Sequence, residues 1–363
     1  MMRRNGSVLL PAIALNVTLC LATARPAMAT DSTAPDARLP AVESSAWAAY
    51  KQAFVTPEGR VVDTANGNIS HSEGQGYGML LSAWADDAAA FERLWSFTRT
   101  ELLIRDDGLS AWKWDPASTP HITDINNATD GDILIAYALL TASERWQRPD
   151  YRDTAAGIAR TVAETMLVDV AGGVVILPGA VGFRDAETPG TLIVNPSYWV
   201  YPALAALQAL VPGSGYSQAA QSGTSILKQA RFGPLNLPTD WLAVTADSVA
   251  PAPDRPEVFG YEGIRIPLYL MMAGLDDPAL LTPFRDAWAE AGGGDPAVID
   301  VLDGKAAERL QDPGYRIVFA LLDCALEGTR VPDPLRQFAP TLYYPSTLHL
   351  LALAALQDRY PQC

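Results

Sequence analysis

The sequence predicts an all-helical domain, a toroid of α-hairpins with its functional residues gathered in loops and helix starts at one rim. Three observations carry this. Apolar residues recur with helical spacing in roughly eleven runs, mostly ten to eighteen residues long. Strand signals are few. Successive helix pairs follow at intervals of about sixty residues, with no sequence repeat of fixed period.

Taken in order, residues 1–29 read as a signal peptide. Arg3 and Arg4 give the positive start, an apolar stretch runs from Val8 to Thr23, and Ala27-Met28-Ala29 has the small-x-small cleavage pattern. Pro11, Asn16 and Arg25 interrupt that stretch, which argues against a membrane anchor. Residues 30–40 are a polar, Pro-containing leader, and 41–363 form a single domain. Helix-like runs begin near 43–55. The first long helix carries Tyr77, Leu80, Leu81 and Trp84 at i, i+3, i+4, i+7; residues 89–102 carry Phe91, Leu94, Trp95 and Phe97; residues 129–146 carry Ile133, Ala136, Tyr137 and Leu140. Further runs lie near 150–166, 196–211, 215–230, 261–274, 281–290, 313–327 and 345–357. Residues 173–177 and 180–183 flank Pro178-Gly179 and are expected to form a hairpin, and 192–194 a short strand.

The chain has 363 residues, 49% hydrophobic and 18% charged, which suits a large packed core rather than disorder. Its formal charge is −15, and cleavage after Ala29 removes three arginines and no acid, leaving −18. So acidic a chain repels nucleic acid and anionic membrane. No later segment is long and apolar enough to span a bilayer. His71, His121 and His349 lack metal-ligand spacing, so no metal or other cofactor is expected. Cys324 and Cys363 survive cleavage; spacing alone leaves a disulfide and two free thiols equally open.

Several polar stretches place acids beside aromatic residues just before apolar helices: residues 71–78, 109–116, 124–132, 194–199 and 259–265. A carbohydrate cleft needs that mixture, because sugar C–H faces stack on rings and hydroxyls need carboxylates and amides. Each acid also has a plainer reading. Glu73 has helix capping, since Ser70-x-x-Glu73 and Ser72-x-x-Gln75 both match a capping box, although Gly74, Gly76 and Gly78 imply a close approach of backbone or ligand. Thr129 can cap a helix that Asp130 and Asp132 favour through its dipole, and two acids so close raise each other's pKa. Glu262 can pair with Arg265 at i, i+3, and Trp112 and Trp114 can be core.

At these residues the sequence resembles glycoside hydrolase family 8. Residues 72–79, Ser-Glu-Gly-Gln-Gly-Tyr-Gly-Met, are similar to the family's proton-donor stretch, and residues 128–146 resemble its signature over nineteen positions. Trp112-Lys113-Trp114, Asn195-Pro196-Ser197-Tyr198 and Tyr261-x-x-x-Arg265 add further matches. The resemblance covers nearly all of the mature chain and is nearest to bacterial cellulases that accompany cellulose synthesis. It implies an (α/α)₆ barrel of six inner and six outer helices with short strands in loops. It implies an inverting endo-β-1,4-glucanase with Glu73 as general acid, Asp130 binding the sugar at the cleavage point, and Glu262 as general base. Glu262 is a departure, since that place in the family is an Asp, and Asp130 is the next candidate for the base. Trp112, Trp114, Tyr198 and Trp199 are expected to stack on glucose, with about half of them in the core, and Arg265 to position a carboxylate. The implied partners are a β-glucan polysaccharide and the cellulose-synthesis machinery, and the implied location is periplasmic or secreted. The alternatives are chitosan, mixed β-glucan or xylan on the same fold, or a non-hydrolysing glycan-binding protein of cellulose assembly.

Overall fold

Helix starts in this chain are marked chemically. Asp87, Asp277 and Asp312 each accept a backbone N–H from the first turn that follows them, and Pro stands in the first turn of the helices at 149, 278 and 313. The computed structural model describes residues 39–170 and 173–363; the expected signal peptide, and the expected leader up to residue 38, lie outside the described residues. Among the described residues there are eleven α-helices: α1 (Ser44–Phe54), α2 (Ser72–Trp84), α3 (Ala88–Phe97), α4 (Thr129–Trp146), α5 (Pro149–Thr165), α6 (Tyr201–Leu210), α7 (Tyr216–Gln229), α8 (Arg265–Met272), α9 (Pro278–Ala291), α10 (Pro313–Glu327) and α11 (Tyr343–Arg359). None is long and apolar enough to cross a membrane.

Two layers follow from which helices touch. Helices α2, α4, α6, α8 and α11 contact one another in that cyclic order, and α11 returns to α2. Outside them α3 backs α2, α5 backs α4, α7 backs α6, α9 backs α8, and α10 backs α11. Burial follows the layers. Outer α5 and α7 bury one stripe each, whereas every residue of α2 except Glu73 is buried. The amphipathic face expected for α2 is therefore half the story, because an inner helix is covered on all sides.

The glycines of α2 serve that packing. A Cβ on Gly76 would lie 2.5 Å from Leu134 Cβ of α4, and one on Gly78 2.6 Å from Val61. Across the same contact, a Cβ on Gly131 would lie 2.1 Å from Ser72 Oγ. Glycine on both helices lets the starts of α2 and α4 meet, which sets Glu73 beside Asp130. These glycines make room for protein rather than for a ligand.

The strands are short, antiparallel and confined to the connections. Leu192–Val194 forms the expected strand, joined to Leu242–Val244 and then Val249–Pro251. The expected hairpin about Pro178-Gly179 is not present. Gly173–Ile176 pairs backward with Leu167–Val170 instead. The segment after it is drawn to the start of α4: Thr129 N–H donates to Pro178 O, and Ala180 N–H to Asn127 Oδ1. Those bonds use the backbone groups a hairpin would need. A disulfide joins Cys324 of α10 to Cys363, and Val331 N–H donates to Cys363 O, which ties down the C-terminus.

Candidate active site

The starts of α2, α4 and α8 converge on one buried cation. Arg265, the first residue of α8, is 2% exposed. Its Nη1 donates to Glu73 Oε1 at the start of α2 and, at 3.0 Å, to Asp130 Oδ2 at the start of α4. Its Nη2 donates to Glu262 Oε2 and, at 2.8 Å, to Ser197 Oγ. A planar guanidinium with two forks suits this role, since it can hold several carboxylates in fixed directions. Ser197 is itself held by Asn195, whose Oδ1 accepts from Ser197 N–H and Oγ–H at 3.0 and 2.7 Å.

Each acid has a distinct setting. Asp130 is buried; Oδ1 accepts its neighbour Gly131 N–H at 2.8 Å and Oδ2 faces Arg265. Burial, then the charge of Glu73, pushes its carboxyl up to about 7. Asp132, two residues on, is a structural acid: it accepts from Ser110 N–H and Oγ–H and from Asn127 Nδ2, and burial raises it to about 6. The expected mutual effect of these two acids is replaced by burial and, at Asp130, by the charge of Glu73. Glu73 is partly open, its side chain 18% exposed, and Glu262 is more so at 38%. The i, i+3 pair between Glu262 and Arg265 is present, inside the cluster rather than on a helix surface.

The serine caps expected around Glu73 are not used. His71 precedes α2, and its Nδ1 accepts Gly74 N–H at 3.0 Å. Ser70 Oγ donates to Val61 O, while Ser72 Oγ is buried with no partner. Gln75 is consumed by a buried knot, accepting from Val61 N–H and donating to Gly59 O and Thr98 Oγ1. At α4 the cap position is Ala128, so Thr129 does not cap either.

A cleft of about 610 Å³ opens over the cluster. Glu73, Asp130, Glu262 and Arg265 form its floor, with Trp112, Tyr198, Tyr261, Tyr315, Tyr343 and Tyr344 among its walls. Trp112 is oriented by Nε1 donating to Asp124 Oδ2 at 2.8 Å, with Lys113 Nζ 5.0 Å from its ring centre.

Comparison with known proteins identifies this assembly. The model of glycosyl hydrolases family 8 matches residues 20–358. The chain belongs to that family. It is 38% identical over 312 residues to a probable endoglucanase from Novacetimonas hansenii, covering 85% of this chain and 89% of the relative. An endoglucanase from Cellulomonas uda is 39% identical over 250 residues, 68% of each chain. Among solved structures, an endo-β-1,4-glucanase from Acetobacter xylinum superposes with a TM-score of 0.78 at 38% identity, over 87% of this chain and 98% of that one. The family makes the protein a glycoside hydrolase.

Within this family 8 cleft, two of the predicted stacking residues are elsewhere. Trp114 is not among its walls: its ring carries the Arg60 guanidinium at 4.9 Å and the His121 ring at 4.1 Å, and meets Phe97 edge-on. Trp199 is core, its Nε1 donating to Ala219 O. Trp112 and Tyr198 do line the cleft. Sequence reasoning passed over His71, Asp63, Tyr343, Tyr344 and Asp240. Tyr343-Tyr344-Pro345 opens the apolar helix α11, the same aromatic-before-helix pattern read elsewhere, and Asp240-Trp241 is another acid beside an aromatic.

Proposed function

We propose that this family 8 enzyme is an endo-acting, inverting β-1,4-glucanase built on the (α/α)₆ barrel. The observation that carries the reading is the gathering of Glu73, Asp130 and Glu262 around one arginine under an aromatic-walled cleft. The names of the relatives support the substrate, and the two-layer ring supports the barrel. Two cysteines joined in a bridge support an exported protein, since such bonds persist in oxidising compartments. Association with cellulose-synthesis machinery rests on the sequence resemblance alone.

Glycosidic cleavage passes through an oxocarbenium-like transition state and needs a proton on the leaving oxygen. Burial, then the charge of Glu73, raises the Asp130 carboxyl to about 7. Glu73, open to the cleft, delivers the proton. Asp130, buried with both oxygens engaged, binds the sugar at the cleavage point and offsets the positive charge that develops there. Glu262 activates the water. The Arg265 Nη2 holds its Oε2, which leaves Oε1 to accept the water proton. This division favours Glu262 over Asp130 as base.

Glu73→Gln tests the acid. Turnover on carboxymethyl-cellulose is expected to fall about 1,000-fold or more with the fold intact by circular dichroism; near-normal turnover would refute the assignment. A second reading, chitosan as substrate, draws on the cleft's excess of acids, with Asp63, Glu73, Asp130 and Glu262 against Arg265. Reducing-end release from carboxymethyl-cellulose, mixed β-glucan, xylan and chitosan decides between them, and release from none would favour a glycan-binding protein.

A further inference from the structure

One buried acid near the cluster has no part in the chemistry above. Asp240 is 6% exposed. Its Oδ1 accepts two backbone N–H groups, those of Gly260 and Gly263, each at 2.9 Å. These two residues bracket Tyr261-Glu262, so a single oxygen pins both ends of the turn that carries Glu262. Asp240 is fixed in turn by its own N–H, which donates to Val258 O at 2.7 Å. From the other side, Tyr344 Oη donates to Tyr261 O at 2.6 Å. Gly263 is required for this closure: a Cβ there would stand 2.4 Å from the Phe259 ring and 2.9 Å from Asp240 Oδ1.

We propose that Asp240 is a positioning residue for Glu262, holding the turn that aims this carboxylate at the attacking water, with Tyr344 as its counterpart on the opposite side. The inference rests on Glu262 being the base. Glu262 stands on a turn rather than in a helix, and a Glu side chain has three rotatable bonds. Such a group must be aimed by its surroundings, and a displacement of about 1 Å can lower a rate roughly 100-fold. Two N–H donors on one buried carboxylate oxygen form a stiff anchor of the required kind.

A double-mutant cycle on the full chain provides the test. Asp240→Ala is expected to lower kcat about 10- to 100-fold with KM within about 3-fold of wild type. Asp240→Asn keeps an acceptor for both N–H groups and is expected to recover most of that loss. In a Glu262→Ala background, Asp240→Ala should lower kcat no further, because there is no carboxylate left to aim. Tyr344→Phe should show a smaller loss with the same dependence on Glu262, and it carries the test if Asp240→Ala does not fold. Equal loss of kcat in both backgrounds would assign Asp240 a merely structural role and overturn the proposal, as would an unchanged kcat in Asp240→Ala. Should Glu262→Ala itself retain wild-type kcat, the base assignment fails and the proposal with it. A Glu262→Ala loss with additive Asp240→Ala overturns the positioning role alone.

Discussion

The two sides of the cleft floor are built differently. Glu73 and Asp130 stand on the first turns of inner helices α2 and α4, which are locked by glycine-mediated contact at Gly131 and Gly76. Their places are set by packing, and packing in a helix pair tolerates little displacement. Glu262 stands on a turn, more exposed, and its place is set by hydrogen bonds that the turn donates to Asp240 and accepts from Tyr344, and by one from Arg265 to its own carboxylate. Arg265 touches both sides. The contrast implies that the acid side breaks by steric change, and the base side by loss of single polar contacts.

After the loss of Glu73, the largest effect should come on the base side. Glu262→Ala is expected to lower turnover about 100- to 1,000-fold, with azide restoring part of the rate by replacing the lost carboxylate. Glu262→Asp, which restores the family's residue, is expected to stay within about 10-fold of wild type, because the loop can follow a shorter side chain. Turnover unaffected by Glu262→Ala would remove the base from this loop.

On the acid side the sharper test is a methyl group. Gly131→Ala places a Cβ 2.1 Å from Ser72 Oγ and 2.8 Å from Glu73 N, so the helix starts must part. Stability should fall by about 1–3 kcal/mol in denaturant unfolding, and turnover about 10-fold or more as Glu73 leaves Asp130. A variant with normal stability and rate would show that the two starts are not locked.

The smallest effect is on pH dependence. Asp130 rises from an ordinary value of 3.8 to about 7, so between those values the folded chain keeps a proton that the unfolded chain has lost. Its contribution to stability therefore declines as pH rises from about 4 to about 7 and levels off above. Asp130→Asn removes that decline, so the Tm of the variant relative to wild type should improve between pH 5 and pH 8. Asp132 and Asp240, also raised by burial, leave their own declines in both proteins. Parallel Tm curves would contradict the burial assigned to Asp130.

Helices were legible because apolar spacing reports them directly, and the acids because the motif residues lie close together in sequence. What escaped depended on distant partners. Ser70 and Ser72 matched a capping box, yet Val61 O takes the Ser70 hydroxyl and His71 is in reach to cap. Trp114 and Trp199 look like Trp112 in sequence, but Arg60, His121 and Ala219 O claim them. The hairpin expected at 173–183 was lost to bonds with residues 126–129, some fifty positions away. Asp240 and Tyr344 could not be tied to Glu262 by any local spacing, since their link is a turn lying between them in space.

The central claim is a single displacement, with Glu73 protonating the leaving oxygen while water activated at Glu262 attacks the opposite face. The most direct measurement is proton NMR of the first products from a soluble cello-oligosaccharide, taken before mutarotation. New reducing ends in the α configuration are the expected result. New reducing ends in the β configuration would mean a retained centre and a covalent intermediate, and would contradict it.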